Sequence, residues 1–141
     1  MERRTAAEMS TSPPVRVVIV EDSAVLAERI AELIARLPGV TLLDTVSTES
    51  EALQCIAELA PQVLILDLHL RRGSGFGVLR SLEHSGAMRP KVIVLTGFDL
   101  PEYRRRAESF GVAAFLNKSR DYQRLSGLLT GFVGAPAPSG T

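Results

Sequence analysis

The chain has 141 residues, 45% of them hydrophobic, and its 16 basic side chains balance 16 acidic ones. That length fits one compact domain with a real core, and the zero net charge excludes an overall field drawing the chain onto nucleic acid or an anionic membrane. A lone Cys55 excludes an internal disulfide and a cysteine metal pair, as suits a reducing cytoplasm, and the longest aliphatic runs are too short to cross a bilayer.

In chain order, residues 1–14 carry Arg3 and Arg4 with no apolar stretch behind them, so they read as a disordered extension rather than a signal peptide or anchor. From Val15 to Val133 short aliphatic runs alternate with segments at helical spacing, the pattern of βαβ units around a parallel sheet. The first strand is expected near Arg16 to Val20. A helix follows with Leu26, Ile30, Leu33, Ile34 and Leu37 on one face, stopping at Pro38-Gly39. The second strand, Leu42 to Val46, includes Asp44 and Thr45 and so reads as an edge strand. The second helix opens with the capping box Thr48-Glu49-Ser50-Glu51, is expected to bury Leu53, Ile56 and Ala60, and ends at Pro61. Val63 to Leu66 is a wholly apolar strand, as expected when helices cover both faces. After a glycine-rich turn comes a third helix around Phe76 to Glu83, closing near Gly86. Val92 to Leu95 is the fourth strand, a helix beginning around Asp99 and Pro101 ends before Gly111, and Ala113 to Leu116 is the fifth strand. The last helix places Leu125, Leu128, Leu129 and Phe132 at core spacing, and residues 134–141 form a Pro/Gly tail whose composition does not support packing.

The polar residues are distributed tellingly. Glu21 and Asp22 follow the first strand, Asp67 the third, Thr96 the fourth and Lys118 the fifth. In an open parallel sheet, ligands bind beyond the carboxyl ends of the strands, and in the flavodoxin-like order 2-1-3-4-5 these four strands are neighbours. Taken singly, the acidic pair suits a helix N-terminus, Thr96 an ordinary strand end and Lys118 a surface charge. Chance does not put all five on one edge. Three carboxylates brought together repel unless cations compensate; Lys118 supplies one positive charge and a divalent ion the rest. An all-oxygen donor set without His or Cys selects a hard ion, Mg²⁺ above all. Asp67 then serves as a nucleophile forming an acyl phosphate, Lys118 stabilises charge on the transferring group, and the Thr96 hydroxyl donates to the phosphoryl oxygen once it has arrived.

These segments, Val20-Glu21-Asp22-Ser23, Leu66-Asp67-Leu68-His69-Leu70, Val94-Leu95-Thr96-Gly97 and Phe115-Leu116-Asn117-Lys118-Ser119, resemble the receiver domains of response regulators of the chemotaxis-regulator type. The resemblance implies a flavodoxin-like doubly wound α/β fold with five strands and five helices. It makes Asp67 the phosphoacceptor, with Mg²⁺ held by Glu21, Asp22, Asp67 and the backbone carbonyl of His69. Thr96 and Lys118 become the phosphoryl contacts, and Phe115 the aromatic that turns inward when Thr96 moves. It further implies an output face formed by the fourth helix, fifth strand and fifth helix, expected to include Arg104, Arg105, Arg106 and Tyr122. Three residues depart from the family pattern: Glu21 where aspartate is commoner, Arg71 where proline is frequent, and Ser119 where proline follows the lysine. A cis bond before serine costs about 2.5–4 kcal/mol, which leaves the geometry of Lys118-Ser119 open.

The expectation is a cytoplasmic, stand-alone regulator. A sensor histidine kinase or histidine phosphotransfer protein phosphorylates it, and it acts on a downstream protein target, with phosphorylation-dependent pairing of two copies left open. It is not expected to touch nucleic acid or membrane, or to be an enzyme beyond its own phosphoryl transfer and dephosphorylation. The alternatives are a receiver cut from a longer DNA-binding transcription regulator, and a protein-binding pseudo-receiver that is never phosphorylated. An aspartyl phosphatase of the haloacid-dehalogenase kind would want a second aspartate where His69 stands, and Glu21-Asp22 would repel a flavin phosphate.

Overall fold

The computed structural model describes residues 13–86 and 89–134. The expected N-terminal extension up to residue 12, and the expected tail from residue 135, lie outside them. The chain alternates β1 (Val15–Val20), α1 (Ala24–Ala35), β2 (Val40–Val46), α2 (Glu49–Leu59), β3 (Val63–Leu66), α3 (Gly75–Leu82), β4 (Lys91–Thr96), α4 (Pro101–Ser109), β5 (Ala114–Asn117) and α5 (Arg124–Phe132). The five strands pair in parallel in the order β2-β1-β3-β4-β5, the expected one. Parallel neighbours need crossovers, and the helices supply them while covering both faces.

Strand alternation sorts the aliphatic side chains into two cores. Val18, Val20, Leu64, Leu66, Val92, Val94 and Phe115 belong to one, with Ala52, Leu79 and Ala107 from α2, α3 and α4. Val17, Ile19, Val63, Ile65, Ile93, Leu95 and Leu116 belong to the other, with Ile30 and Ile34 of α1 and Leu125 and Leu129 of α5. Burying one such side chain contributes about 1.5–3 kcal/mol, so the sheet is the most firmly held part of the molecule. Among the described residues no helix is long and apolar enough to cross a membrane.

Two local details differ from expectation. Strand β2 begins at Val40 and has one extra residue against β1, between the pairs Val17↔Leu42 and Val18↔Asp44. That bulge returns Val46 to the same core as Leu43, while Asp44 and Thr45 stay wet. In α2 the fully buried residues are Ala52 and Cys55. Leu53 and Ile56 only flank the core, and Ala60 is the left-handed C-cap at φ 46° rather than a core residue. The helix meets its neighbours through small side chains and lets the larger ones splay. Helix α3, Gly75–Leu82 with Glu83 as its C-cap, lies within one residue of the expected Phe76 to Glu83.

Candidate functional site

Glu21, Asp67 and Lys118 each stand one step past a strand, where the sheet ladder continues through them, while Asp22 is two steps past β1 and Thr96 is the last residue of β4. The Asp67 N–H donates to the Val20 carbonyl at 3.0 Å, Glu21 N–H to Val46 at 2.9 Å, and Lys118 N–H to Thr96 at 3.0 Å. Backbone pairing therefore brings residues from β1, β3, β4 and β5 to one edge before any side chain acts. Glu21 and Asp67 are almost wholly buried there, 4% and 3% exposed, whereas Asp22 is exposed. The acidic pair does not form a helix's first turn: α1 begins after the N-cap Ser23, whose Oγ accepts from Leu26 N–H at 3.3 Å.

Lys118 joins the buried carboxylates. Its Nζ donates to Asp67 Oδ2 at 2.8 Å and lies 3.0 Å from Glu21 Oε1. The other Asp67 oxygen, Oδ1, accepts from the His69 N–H at 3.2 Å, and Glu21 Oε2 accepts from the Ser23 N–H at 2.9 Å. Burial and the nearby Asp67 charge push the Glu21 carboxyl up to about 7, against the pull of the Ser23 N–H and Lys118. Burial also works against the Lys118 charge, but the hydrogen bonds it donates to Asp67 and Glu21 outweigh that and hold the ammonium above its ordinary range. One lysine thus compensates two buried carboxylates incompletely.

Glu21, Asp22 and Asp67 each offer a carboxylate oxygen, and the three lie within 4.8 Å of one another. The donor set is all oxygen and its negative charge exceeds that of Lys118, as a hard divalent cation requires. The residues present therefore fit the ion inferred from sequence.

Thr96 is fully buried at the end of β4, and its Oγ1 accepts from the Phe98 N–H at 3.2 Å. Three other structures shape the rim. Gly75, at the start of α3, packs so closely on the chain after Asp67 that a Cβ there would stand 2.7 Å from Leu68 Cα. The Lys118-Ser119 bond is trans. Lysine placement falls instead to a side-chain turn, in which Asn117 Oδ1 accepts from the N–H groups of Ser119 at 2.8 Å and Arg120 at 3.1 Å, and Asp121 Oδ2 accepts from Asn117 N–H at 2.9 Å.

The family description "response regulator receiver domain" matches residues 17–130. The chain belongs to that family. It is 32% identical over 110 residues to protein-glutamate methylesterase/protein-glutamine glutaminase 5 of Myxococcus xanthus, covering 78% of this chain and 32% of that protein. It is 31% identical over 112 residues to the transcriptional regulatory protein YvfU of Bacillus subtilis, covering 79% of this chain and 56% of that one. A crystal structure of a LuxR-family DNA-binding response regulator from Staphylococcus aureus superposes with a TM-score of 0.76 at 26% identity, covering 83% of this chain and 97% of that one. The chain thus spans about a third to just over half of these two sequence relatives' length.

Within this receiver domain, the residues expected on the α4–β5–α5 face separate. Arg104 lies there: its guanidinium sits 4.6 Å from the Phe115 ring centroid, and its Nη2 donates to Asp99 Oδ1 at 3.0 Å. Arg105 is exposed. Arg106 instead covers the ring of Phe76 in α3, and Tyr122 turns towards α1, with Arg29 5.1 Å from its centroid. Consecutive helical residues diverge by about 100°, so a three-arginine run serves two sides of α4. Phe115 is buried, 6% exposed, beneath Arg104. Sequence reading assigned no role at the site to Glu49 or Asp99. Glu49 accepts from Ser74 N–H at 2.9 Å, and Asp99 pairs with both Arg104 and Arg120. The alternating Gly73, Gly75 and Gly77 were the available signal of close backbone approach.

Proposed function

We propose that this receiver domain accepts a phosphoryl group on Asp67 from a phosphohistidine of a sensor histidine kinase or histidine phosphotransfer protein. The supporting observation is the Asp67 carboxylate itself, buried beside Glu21 yet held at both oxygens, by Lys118 Nζ and by the His69 N–H. A bond forms between an Asp67 oxygen and phosphorus as the bond from phosphorus to the donor imidazole nitrogen breaks, and the imidazole leaves with a proton. Lys118 and the backbone N–H keep the attacking carboxylate aimed, and the Lys118 ammonium then stabilises charge on the transferred group. Glu21, Asp22, Asp67 and the His69 carbonyl would hold Mg²⁺, which when bound supplies positive charge against the phosphoryl oxygens.

Thr96 then exchanges partners. Its hydroxyl accepts from Phe98 N–H in the structure, and in the acyl phosphate it would donate to the phosphoryl oxygen. Phe115, already buried beneath Arg104, repacks as Thr96 moves, altering the α4–β5–α5 surface read by a downstream protein target. In this reading the protein works in the cytoplasm, and its only catalysis is its own phosphoryl transfer and dephosphorylation. The greater length of the matched relatives favours a second reading of the output: the same face acts on an attached domain, DNA-binding where the regulator is transcriptional.

Intact mass after incubation with acetyl phosphate and Mg²⁺ tests the chemistry. The expected result is one phosphoryl adduct in wild type, none in Asp67→Asn and none with EDTA. Wild-type protein that gains no adduct and binds no Mg²⁺ would overturn the proposal in favour of a constitutive binding module.

A further inference from the structure

The acceptor reading leaves open what holds the chain between Asp67 and α3. Proline is a common stiffener there, and this chain has Arg71. The structure supplies another constraint. Thr48 bridges to Arg72, Glu49 N–H donates to the Arg72 carbonyl at 3.0 Å, and Glu49 Oε1 accepts from Ser74 N–H at 2.9 Å. Ser74 is paired in turn with His69, whose N–H holds Asp67 Oδ1 at 3.2 Å. The Glu49 side chain therefore holds Ser74, which stands opposite His69 in a bridge closed by Gly75 N–H donating to the Leu68 carbonyl at 3.0 Å. Its link to the Asp67 carboxylate runs through this short bridged turn.

The space around Glu49 fits that task. A Cβ at Gly73 would stand 2.5 Å from Glu49 Cβ, and one at Gly77 would collide with the Glu49 carboxylate. Two glycines thus leave room for this side chain against the loop and the first turn of α3. An acidic residue in the first turn of α2 could serve only to favour the helix dipole. Here the capping work is done by Glu51, whose Oε1 accepts from Ser47 N–H at 3.2 Å and from Thr48 Oγ1 at 3.0 Å. Glu49 reaches instead to a segment 25 residues away.

We propose that Glu49 is a positioning residue for phosphoryl acceptance: through Ser74 and the Asp67–Ser74 loop it fixes the His69 peptide, which orients the Asp67 carboxylate and neighbours the proposed metal. The inference rests on Asp67 being the acceptor. It predicts that an acceptor oxygen at the right reach matters and the charge does not.

Two variants separate these properties. Glu49→Gln keeps the reach and an acceptor oxygen while losing the charge; Glu49→Asp keeps the charge at the helix start but is one methylene short. Initial rates of Asp67 phosphorylation by acetyl phosphate would be measured across a Mg²⁺ series, and amide hydrogen exchange at His69 and Ser74 in metal-free protein. Glu49→Asp is expected to slow phosphorylation by about tenfold below Mg²⁺ saturation and to speed exchange at both amides, with Glu49→Gln near wild type in both. Wild-type rate and exchange in Glu49→Asp would overturn the inference. So would a defect confined to Glu49→Gln, which would assign the effect to charge. If wild-type protein takes up no phosphoryl group at all, the acceptor reading fails first, and this inference with it.

Discussion

Between β3 and α3 the backbone from Asp67 to Ser74 is tied to α2 and to itself: by the Thr48–Arg72 and His69–Ser74 bridges, by Glu49, and by Gly75 N–H donating to the Leu68 carbonyl at 3.0 Å. Between β4 and α4, residues Gly97 to Leu100 are held far more lightly. Phe98 N–H donates to Thr96 Oγ1, Asp99 pairs with Arg104 and Arg120, and the side chains of Phe98 and Leu100 are each 46% exposed. Both loops border the same carboxylate. One is built from backbone bonds and glycine contacts that tolerate little displacement, the other from a hydroxyl and half-buried ion pairs on Asp99 that exchange partners at lower cost. On the proposed function, the contrast fits positioning by the first and signalling by the second.

The largest expected effect tests what both loops surround. Lys118→Ala removes the ammonium that pairs with Asp67 and Glu21 and should slow phosphorylation by acetyl phosphate by about 100-fold or more, as read by intact mass against time. Gly75→Ala attacks the fixed loop: the added methyl meets Leu68 Cα and the Asp67 carbonyl, and urea unfolding should report a loss of about 1–3 kcal/mol. Thr96→Ala attacks the lighter loop and should cost less than about 1 kcal/mol, because the exposed Phe98 can turn its N–H to water. Phosphorylation should then no longer shift the Phe98 amide resonance, although Asp67 still takes the phosphoryl group. An unchanged phosphorylation-dependent shift in that variant would erase the contrast between the loops.

The smallest effect is electrostatic. Partial burial pushes the Asp99 carboxyl up, but the Arg104 hydrogen bond and the Arg104 and Arg120 charges outweigh it and leave it below the ordinary aspartate range. A folded-state value lowered in this way stabilises the fold fully above the unfolded value, and the gain is lost as pH falls through the folded one. Wild type should therefore lose a small increment of stability in acid that Asp99→Asn lacks, as measured by paired acid titrations of the unfolding midpoint. Arg104→Ala should bring the Asp99 titration back towards the ordinary range.

Much of this could be read along the chain. Strands β1, β3, β4 and β5 are mostly apolar because both faces of the sheet are covered, and the wet residues Asp44 and Thr45 marked β2 as an edge. Glu21, Asp22, Asp67, Thr96 and Lys118 could be singled out because ionisable and hydroxyl groups at or just past the ends of buried parallel strands gather at one sheet edge. The pattern worked less well in α2. Periodicity weights the larger side chains, Leu53 and Ile56, whereas close packing put Ala52 and Cys55 innermost.

The sequence by itself therefore determined the alternation of covered strands and helices and the polar residues at the strand ends, since burial periodicity and strand-end polarity are properties of each element taken alone, while the strand order came with the family resemblance. The tertiary structure alone decided that Glu49 reaches Ser74, that Tyr122 turns to Arg29 of α1, and that Asp99 sits between Arg104 and Arg120. Those contacts depend on how closely separate elements approach and in which direction each side chain leaves its backbone, and neither quantity is carried by local spacing.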